Sequence, residues 1–280
     1  MSLRIMTHNV WNRIDNAPDW EKNGEDCSAA ARAGGFVRVY SELSPDVIGL
    51  QEASAKMLRV MAADMQKSGI RYSILWGADT PIMYKSDLLE VVESEFAYYD
   101  EKIDGFEGSF NNDNTKSYNI AVFRIKESGK LFVFATTHLW WKSSNPASRS
   151  YQAHSDEARA IQLKLLMSKV DALAQKYGCP SVILGDLNAY YESLAVSAAL
   201  DNQYLHGHDI AVEYADDTNG YHYCFGDGYK GYEPRAFKEG IDHILIKGAE
   251  EGAVRRFDRY YPDYYMPLSD HFPAYIDVEF

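Results

Sequence analysis

The sequence predicts an α/β fold in one domain, and two features of the chain carry that prediction. Apolar runs with the character of β-strands alternate with amphipathic stretches of helical spacing along all 280 residues, a pattern typical of α/β domains. No internal repeat and no Pro/Ser-rich linker divides the chain, so we expect one domain spanning residues 1–280. Strand-like segments begin and end the chain, which favours a sheet system that closes on itself.

Three stretches have the apolar periodicity of helices. Residues 29–43 carry apolar side chains every third or fourth position and stop at Ser44-Pro45, because a proline disfavours helical backbone in the residue before it. Residues 53–67 show the same spacing. Residues 155–177 form the longest predicted helix, with one apolar stripe and Gly178 as the C-terminal stop.

Short apolar runs between these helices predict the strands. The compact run at 46–50 lies between two predicted helices and indicates a buried strand. Residues 118–125 and 130–137 bracket Glu127-Ser128-Gly129 and predict a β-hairpin. Three further runs are interpreted as a meander or a set of hairpins: 72–76, 81–84 and 88–96. The remaining predicted strands are 3–10, 181–184, 241–246 and 272–280.

Charge and cysteine content limit the classes of binding partner and the cellular compartment that we expect for the protein. The formal net charge is −13, whereas a protein that grips duplex DNA needs a cationic track for the phosphates, so duplex nucleic acid is a disfavoured partner. No apolar run approaches the roughly 18–20 residues of a membrane span, and the N-terminus has no apolar leader segment. The three scattered cysteines indicate reduced thiols in a cytoplasmic protein. Secretion, with a leader already removed, is the alternative, and we expect a monomer.

Polar side chains follow the predicted strands abruptly, at the points where the strands end. A carboxylate or an imidazole at the mouth of a buried strand is costly unless it is paired, metal-bound or catalytic. One such residue carries little information, but six clusters point to a shared cleft. The clusters are Thr7-His8-Asn9, Gln51-Glu52, Thr137-His138, Gly185-Asp186-Leu187-Asn188, Ile241-Asp242-His243 and Ser269-Asp270-His271.

The chemical types in these clusters favour metal-assisted hydrolysis of a phosphate ester. Oxygen ligands without sulfur suit Mg²⁺, with Mn²⁺ as a substitute. Separate Asp and His residues can activate water and stabilise the charge that develops on the phosphate. The chain has no Gly-Lys-Ser/Thr phosphate loop, no Gly-x-Ser-x-Gly elbow and no His-Glu-x-x-His helix. Those absences disfavour an ATP-driven enzyme, a serine hydrolase and a zinc protease.

In their order along the chain, six motifs resemble the endonuclease/exonuclease/phosphatase superfamily of deoxyribonuclease-I-like phosphoesterases. They are Thr-His-Asn-Val, Leu-Gln-Glu, Thr-His-Leu, Gly-Asp-Leu-Asn, Ile-Asp-His-Ile and Ser-Asp-His-Phe-Pro, and they run from Asn9 to His271. Each motif is weak alone, but six in the right order are specific. The resemblance implies a four-layer α/β/β/α sandwich, in which two packed mixed β-sheets are flanked by helices.

The resemblance also implies how a metal and a water molecule are handled. Glu52 matches the main metal-binding glutamate, and Asn9 matches the amide near that metal. Asp270 matches the neighbouring acid associated with metal or water. Asp186 and Asn188 match the pair that positions or deprotonates the attacking water and holds the phosphate.

The imidazoles are assigned by the same resemblance. His271 matches the catalytic imidazole and Asp242 the carboxylate that orients it, so we expect one Asp242 oxygen about 2.7–3.2 Å from a His271 ring nitrogen. His138 matches the histidine of the nuclease and sphingomyelinase branches, which contacts phosphate or assists the leaving group. Asp79 is the candidate for an acidic partner of His138. The abasic-site nuclease branch has a Tyr-containing segment in place of Thr-His-Leu, and the inositol phosphatase branch has an Asp-Arg pair in place of Asp242-His243, so neither branch matches.

Two aromatic stretches are predicted on loops that leave the catalytic strands. Trp140 and Trp141 follow His138, and Tyr264 and Tyr265 precede the last polar cluster. Rings at a pocket mouth can stack on a sugar, a base or a choline-like cation, which makes these four residues candidate substrate contacts. The alternative is that the rings pack their loops onto the domain.

Several histidines and basic residues lie outside the motifs. His206, His208 and His222 are interpreted as exposed loop histidines, with a second metal site as the alternative. Arg159 and Lys164 are interpreted as the solvated face of the long helix.

The leading hypothesis is hydrolysis of a phosphodiester or phosphomonoester bond in a small or medium phosphorylated substrate, with water activated at a Mg²⁺ site. A nuclease acting on single-stranded or nicked nucleic acid is the first alternative, and a catalytically inactive binding module on the same fold is the second. For an active enzyme we expect the motif residues to converge on one cleft where the two sheets open.

Overall fold

Two stacked β-sheets with helices on both outer faces make up the computed structural model of the protein, which describes residues 2–214 and 240–280. The helices are α1 (Pro18–Lys22), α2 (Ala29–Leu43), α3 (Ala55–Lys67), α4 (Ser155–Tyr177), α5 (Leu194–Asp201) and α6 (Gly207–Ile210). The strands are β1 (Ser2–Asn9), β2 (Val47–Gln51), β3 (Ser73–Leu75), β4 (Ile82–Tyr84), β5 (Leu89–Tyr98), β6 (Ser117–Ile125), β7 (Leu131–His138), β8 (Ser181–Asp186), β9 (Leu205–His206), β10 (Glu213–Tyr214), β11 (Asp242–Lys247), β12 (Val254–Arg259) and β13 (Ala274–Glu279).

Both sheets are mixed. The first has the strand order β10-β12-β13-β1-β2-β4-β3, and the second has the order β5-β6-β7-β8-β11-β9. The first and last strands of the chain, β1 and β13, pair antiparallel in the middle of the first sheet. The predicted closure of the sheet system is wrong, because in the described ranges both sheets end in edge strands. The predicted four-layer sandwich of two packed mixed sheets flanked by helices is confirmed.

Three hydrophobic cores separate the four layers. The core between the sheets includes Phe123, Phe134, Leu184 and Ile276, and each such buried side chain contributes about 1.5–3 kcal/mol of transfer free energy. The two outer cores lie where α2 and α3 pack on the first sheet and where α4 and α5 pack on the second. The sheets approach closely at Gly49 of β2, where a methyl group would overlap Thr136 and Leu184 across the interface.

Serine caps begin three of the helices. Ser28, Ser54 and Ser193 each accept a hydrogen bond from the main-chain N–H three residues on, at the starts of α2, α3 and α5. At its other end α4 stops at Gly178, whose φ of +61° is left-handed and suits a residue without Cβ. The bounds predicted for α2 and α4, 29–43 and 155–177, are the observed ones.

One strand lies in the other sheet from the one predicted. The runs at 73–75 and 82–84 pair as β3 and β4, but β5 crosses to the second sheet and pairs with β6. The continuous meander is therefore wrong, whereas the alternative of hairpins holds for β3 and β4. Hydrophobic periodicity identifies a strand but not its partner, and Leu89 instead packs in the core between the sheets.

Candidate active site

The six polar clusters meet at one edge of the sandwich. Asn9, His138 and Asp186 are the last residues of β1, β7 and β8, and Asp242 is the first residue of β11. Because β11 runs antiparallel to β8, its first residue pairs with the last residue of β8 at the same edge. A cleft of about 1330 Å³ opens there. Its lining includes Glu52, Asp79, Lys116, His138, Asp186, Asn188, Asp270 and His271.

Asn9 joins two carboxylates that come from different sheets. Its amide nitrogen donates to Glu52 at 3.2 Å and to Asp186 at 3.0 Å. Its amide oxygen accepts from the main-chain N–H of Trp11 at 2.9 Å, which fixes the orientation of the amide. The structure therefore shows Asn9 as the bridge between the two acids, and its predicted association with a metal stays a prediction.

The donor set around Glu52 has the chemistry of a divalent-cation site. Single ligand atoms from Glu52, His138 and Asp186 lie within 4.8 Å of one another. Asp270 lines the same cleft, and its Oδ1 is buried without a hydrogen-bond partner. Burial, then repulsion from Glu52 and Asp186, raises the pKa of the Asp270 carboxyl. Crowded carboxylates with an unsatisfied oxygen fit a hard cation such as Mg²⁺, which prefers oxygen ligands.

Asp242 and His271 form a short hydrogen-bonded pair at the site. Oδ2 of Asp242 lies 2.7 Å from Nδ1 of His271, within the range predicted from the sequence, and both side chains are buried. Burial by itself lowers the pKa of His271, but the charges of Asp242, Asp186 and Asp270 outweigh it and raise that pKa well above its usual value. His271 is therefore an imidazolium at neutral pH, with its Nε2 3.8 Å from Asp186.

Asp186 and Asn188 are held rigidly at the end of β8. The main-chain N–H of Asn188 donates to Asp186 at 2.9 Å, and its side-chain amide donates to the carbonyl of Leu139 at 3.1 Å. Burial raises the pKa of Asp186 above the usual range of an aspartate, although the charge of His271 opposes that shift. A carboxylate with a raised pKa is a better proton acceptor than an ordinary aspartate, which suits it to take a proton from water.

Lys116 is a site residue that the sequence prediction missed. It is buried, and its Nζ lies 2.6 Å from Nε2 of His138. Burial lowers the pKa of Lys116 to about 8, and burial followed by the charges of Lys116 and His271 lowers that of His138 well below its usual value. The ammonium of Lys116 thus donates to a neutral His138.

The signal for Lys116 was present in the predicted hairpin. The register of the hairpin, with Arg124 opposite Leu131, places Ser117 opposite His138. The residue before Ser117, Lys116, therefore lies beside His138. Asp79, the predicted acidic partner of His138, lines the cleft, and burial together with Glu52 raises its pKa to about 6. The polar contacts of His138 are with Lys116 and, at 3.4 Å, with Asp186.

Strained backbone marks the turns that carry these groups. Trp11, Glu52, Ala78 and Asn188 all have φ between +47° and +58°, a left-handed conformation that is costly for residues other than glycine. Each of the four lies within three residues of a side chain that lines the cleft or bridges its acids. Such strain persists where the surrounding structure imposes it, and it commonly marks functional sites.

One buried arginine ties α2 to the loops on either side of the cleft. The guanidinium of Arg32 donates to five main-chain carbonyls, those of Val10, Trp11, Arg13, Cys27 and Leu268. The first three lie just after β1 and the last lies just before Asp270. Helix α2 therefore fixes the loop that follows Asn9 and the loop that carries His271.

A second buried arginine corrects the interpretation of the long helix. Arg159 of α4 was predicted on its solvated face, but it is 5% exposed. Its guanidinium donates to the carbonyls of Trp140 at 3.0 Å and Lys142 at 2.6 Å, and it also pairs with Asp156. The helix thereby braces the segment 140–142 that forms one wall of the cleft. Lys164 is exposed, as predicted.

The four aromatic candidates for substrate contact lie in different environments. Trp141 lines the cleft and is 47% exposed. Trp140 and Tyr265 are fully buried, which is incompatible with the predicted contact to substrate. Tyr264 donates to Glu42 and stacks with Arg38 on the outer face of α2. Of the four, Trp141 is the one that the structure places in the cleft.

Of the three histidines interpreted as exposed, His206 differs from that interpretation. His206 is buried and bonds to His243 at 2.9 Å, and His243 donates to the carbonyl of Ala189 at 2.7 Å. His206 is therefore an internal residue of the second sheet and not an exposed loop histidine. His208 is half-buried. His222 lies outside the described residues.

The four-layer sandwich and the carboxylates, amides and imidazoles at its strand ends define the class of deoxyribonuclease-I-like phosphoesterases. The sequence pattern of the Endonuclease/Exonuclease/phosphatase family matches residues 6–271, and the chain belongs to that family. No curated protein is similar enough in sequence to be matched to the chain.

Three solved structures illustrate how far the likeness of fold extends. An endonuclease/exonuclease/phosphatase family protein from Bacteroides thetaiotaomicron has a TM-score of 0.73 at 18% identity, covering 99% of this chain and 95% of its own. A mannosyl-6-phosphatase from the same species has a TM-score of 0.72 at 18% identity, covering 100% of both chains. The TDP2 of D. rerio, solved with a single-strand DNA product, has a TM-score of 0.67 at 16% identity, covering 100% and 99%. At these identities the likeness establishes the fold.

Within the described ranges, no helix is both long enough and apolar enough to cross a membrane.

Proposed function

We propose that the protein is a Mg²⁺-dependent hydrolase of phosphate esters, with Mn²⁺ as a substitute metal. The observation that carries the proposal is the meeting of Glu52, Asp186, Asp270 and the Asp242–His271 pair in one cleft. Family members are phosphoesterases, and decay to an inactive binding module removes one or more of these groups. The complete set therefore favours an active enzyme over that alternative.

Glu52 and Asp270 are the residues proposed to hold the metal, in the cleft that Asp186 also lines. A bound divalent ion would supply Lewis-acid stabilisation of the charge that develops on the phosphate. Asn9 contributes indirectly, since its two hydrogen bonds hold Glu52 and Asp186 at the separation that the structure shows.

The chain's own residues divide the remaining tasks by charge. Asp186 accepts the proton of the attacking water, and Asn188, fixed by Leu139, orients that water and the phosphate. The imidazolium of His271 and the ammonium of Lys116 present positive charge to the phosphate oxygens. His138, which is neutral, keeps the Lys116 ammonium in place by accepting its hydrogen bond.

We propose a phosphorylated small molecule, with a sugar-like group attached to the phosphate, as the substrate. Exposed Trp141 offers a ring face in the cleft, and Ser148, Ser150 and Asn145 add hydroxyl and amide groups to the same wall. A ring face together with neutral polar groups suits a polyhydroxylated ring. A structural neighbour named as a mannosyl-6-phosphatase supports this class.

A nuclease acting on single-stranded or nicked nucleic acid is the second candidate. It is favoured by one observation, that a structural neighbour was solved with a single-strand DNA product. The net charge of −13 opposes it, because nucleic-acid binding draws its affinity from cations that contact phosphates. A cytoplasmic location and a monomeric state stay predictions from the sequence.

The test is a panel of sugar phosphates, nucleotides, phospholipid head groups and single-stranded DNA, each with Mg²⁺ and with Mn²⁺. We expect kcat/KM to be highest for a sugar phosphate. Trp141→Ala should lower kcat/KM for the sugar phosphate more than it lowers kcat/KM for glycerol phosphate, which has no ring. Faster cleavage of single-stranded DNA than of any small ester would favour the nuclease. No turnover on any substrate with either metal would favour the inactive binding module.

A further inference from the structure

A chain of buried hydrogen bonds runs behind the cleft from α2 to the main chain of His271. The hydroxyl of Tyr40 lies 2.9 Å from Nδ1 of His8, and Nε2 of His8 lies 2.8 Å from the hydroxyl of Tyr265. The hydroxyl of Tyr265 lies 2.5 Å from the carbonyl oxygen of His271. Exposure of the three linking side chains is at most 1%.

The direction of every bond in this chain is determined by chemistry. A carbonyl can only accept, so the single hydroxyl hydrogen of Tyr265 goes to His271. Nε2 of His8 must then donate to the oxygen of Tyr265. Burial, followed by the charges of His271 and Arg32, lowers the pKa of His8 to about 3, so its ring is neutral and its Nδ1 accepts from Tyr40. One tautomer of His8 satisfies all three contacts.

The same segment is fixed at its other end by Ser269. The main-chain N–H of His271 donates to Oγ of Ser269 at 3.2 Å, and that hydroxyl donates to the carbonyl of Asn9 at 2.8 Å. The imidazole of His271 is held by Asp242. Tyr265 therefore supplies the contact that fixes the carbonyl side of the peptide that carries the imidazole.

We propose that Tyr265 is a positioning residue for His271, and that His8 holds the Tyr265 hydroxyl in the orientation this role requires. The proposal rests on the catalytic role proposed for His271. Tyr265 touches neither substrate nor metal in this arrangement. It acts by restricting where the His271 imidazole lies relative to Asp186, across a gap of 3.8 Å. Misplacing a catalytic group by about 1 Å costs up to roughly 100-fold in rate, because the reacting groups no longer align.

The test compares Tyr265→Phe with Tyr204→Phe. Both tyrosines are fully buried, and both donate a hydroxyl hydrogen inside the protein, but Tyr204 donates to Asp171 in the outer core beside α4. We expect both variants to lose stability, and Tyr265→Phe to lose more, since it loses hydrogen bonds to His271 and His8 whereas Tyr204→Phe loses the bond to Asp171. Only Tyr265→Phe should lose kcat, by about 10- to 100-fold, with KM changed less than about threefold. Equal kcat in the two variants would overturn the proposal.

A second pair keeps the inference testable if Tyr265→Phe does not fold. His8→Gln retains an N–H that can donate to Tyr265, whereas His8→Leu retains none. We expect His8→Gln to keep a higher kcat than His8→Leu, and equal values would count against the proposal. His271→Ala separates the two levels of the account. Unchanged kcat in His271→Ala would refute the proposed function. If His271→Ala lost kcat while Tyr265→Phe kept the kcat of the parent, only the positioning role of Tyr265 would be refuted.

Discussion

Asp242 and His271 meet through one hydrogen bond of 2.7 Å in a place where both side chains are buried. The carboxylate receives the Nδ1 hydrogen, which directs Nε2 toward Asp186. In Asp242→Asn the shape remains but the charge that favours the imidazolium is lost. We expect kcat to fall by roughly two to four orders of magnitude with the fold intact. In Ser-His-Asp enzymes the same change lowers kcat by about four orders of magnitude. The loss should be smaller here because a bound metal would carry part of the charge stabilisation.

The control for that change is Asp277→Asn. Asp277 pairs with Arg4 near the far end of β1 and takes no part in the cleft. Its kcat should equal that of the parent, and circular dichroism should report a native fold for both variants. Near-normal turnover in a folded Asp242→Asn variant would remove His271 from the role proposed for it.

The sequence predicted which residues have the chemistry of a site better than it predicted whether their side chains are buried or exposed. The motif residues were identifiable because acids and imidazoles at strand ends are costly without a function. Trp140 and Tyr265 were placed at the cleft mouth because a loop position suggests exposure, but both side chains turn inward. Lys116 was missed because a single lysine before a strand resembles any solvated loop residue. Only the register of β6 on β7 brings it to His138.

At the scale of elements, the packing of α2 governs the loop that carries Asp270 and His271. Gly35 of α2 faces the side chain of Leu268, and a methyl group there would overlap it. Adding volume to a packed contact of this kind costs about 1–3 kcal/mol. The gain that alanine brings to the helix offsets part of this cost, so we expect Gly35→Ala to lower the free energy of unfolding by about 0.5–2 kcal/mol. We expect kcat to fall as well, because Leu268 lies two residues from Asp270.

The neighbouring position supplies a matched control for the helix itself. Gly34 is exposed on α2, and a methyl group there meets nothing closer than 3.9 Å. Gly34→Ala should raise the free energy of unfolding by about 0.5–1 kcal/mol, since alanine loses less backbone entropy than glycine in a helix. Denaturant titration and a parallel measurement of kcat check both variants. If Gly35→Ala were as stable and as active as Gly34→Ala, the space beside Leu268 would accommodate a methyl group and the prediction would be wrong.

Elements with a strong period were predictable, and elements defined by their partners were not. The bounds of α2 and α4 followed from apolar spacing and a terminal glycine or proline. Strand β12, Val254–Arg259, was missed because three arginines and an aspartate interrupt its apolar residues, so it lacks an apolar run. The pairing of β5 with β6 could not be read locally, because strand order depends on contacts between distant segments.

At the scale of the whole molecule, crowded acids at the cleft link metal binding to pH. Burial and mutual repulsion raise the pKa values of Asp270, Asp186 and Asp79, the last to about 6. A carboxyl with a raised folded-state pKa contributes stability at low pH that is lost as pH rises through that pKa. A cation relieves the repulsion at high pH, whereas protons compete with it at low pH.

We therefore expect Mg²⁺ to raise the Tm more at pH 8 than at pH 5, relative to EDTA at the same pH. Stabilisation grows by about 1.4 kcal/mol for each tenfold excess of metal over its Kd. Differential scanning calorimetry of the parent and of Glu52→Gln measures these Tm shifts. The Mg²⁺-induced Tm shift should be smaller in Glu52→Gln than in the parent. A Tm shift that is the same at both pH values would contradict the linkage.

The net charge of the whole molecule affects which substrates it attracts. At −13 the molecule lacks the overall cationic attraction that drives binding to duplex DNA. We expect duplex DNA to be cleaved far more slowly than a small phosphate ester at equal concentration, which a gel assay on plasmid checks. Efficient plasmid degradation at physiological salt would show that local charge outweighs the global excess of acids. The prediction of one domain over residues 1–280 belongs to this scale too, and it stays a prediction.

The central claim is that a divalent metal held at Glu52 is required for phosphate-ester hydrolysis, and phosphate release titrated with Mg²⁺ tests it most directly. The parent protein should be inactive in EDTA and should recover with added Mg²⁺ or Mn²⁺. Glu52→Gln, which keeps the shape but removes the charge, should lose turnover by orders of magnitude. Glu127→Gln, on the exposed turn between β6 and β7, should match the parent. Undiminished turnover in EDTA, or a Glu52→Gln variant as active as Glu127→Gln, would contradict the account.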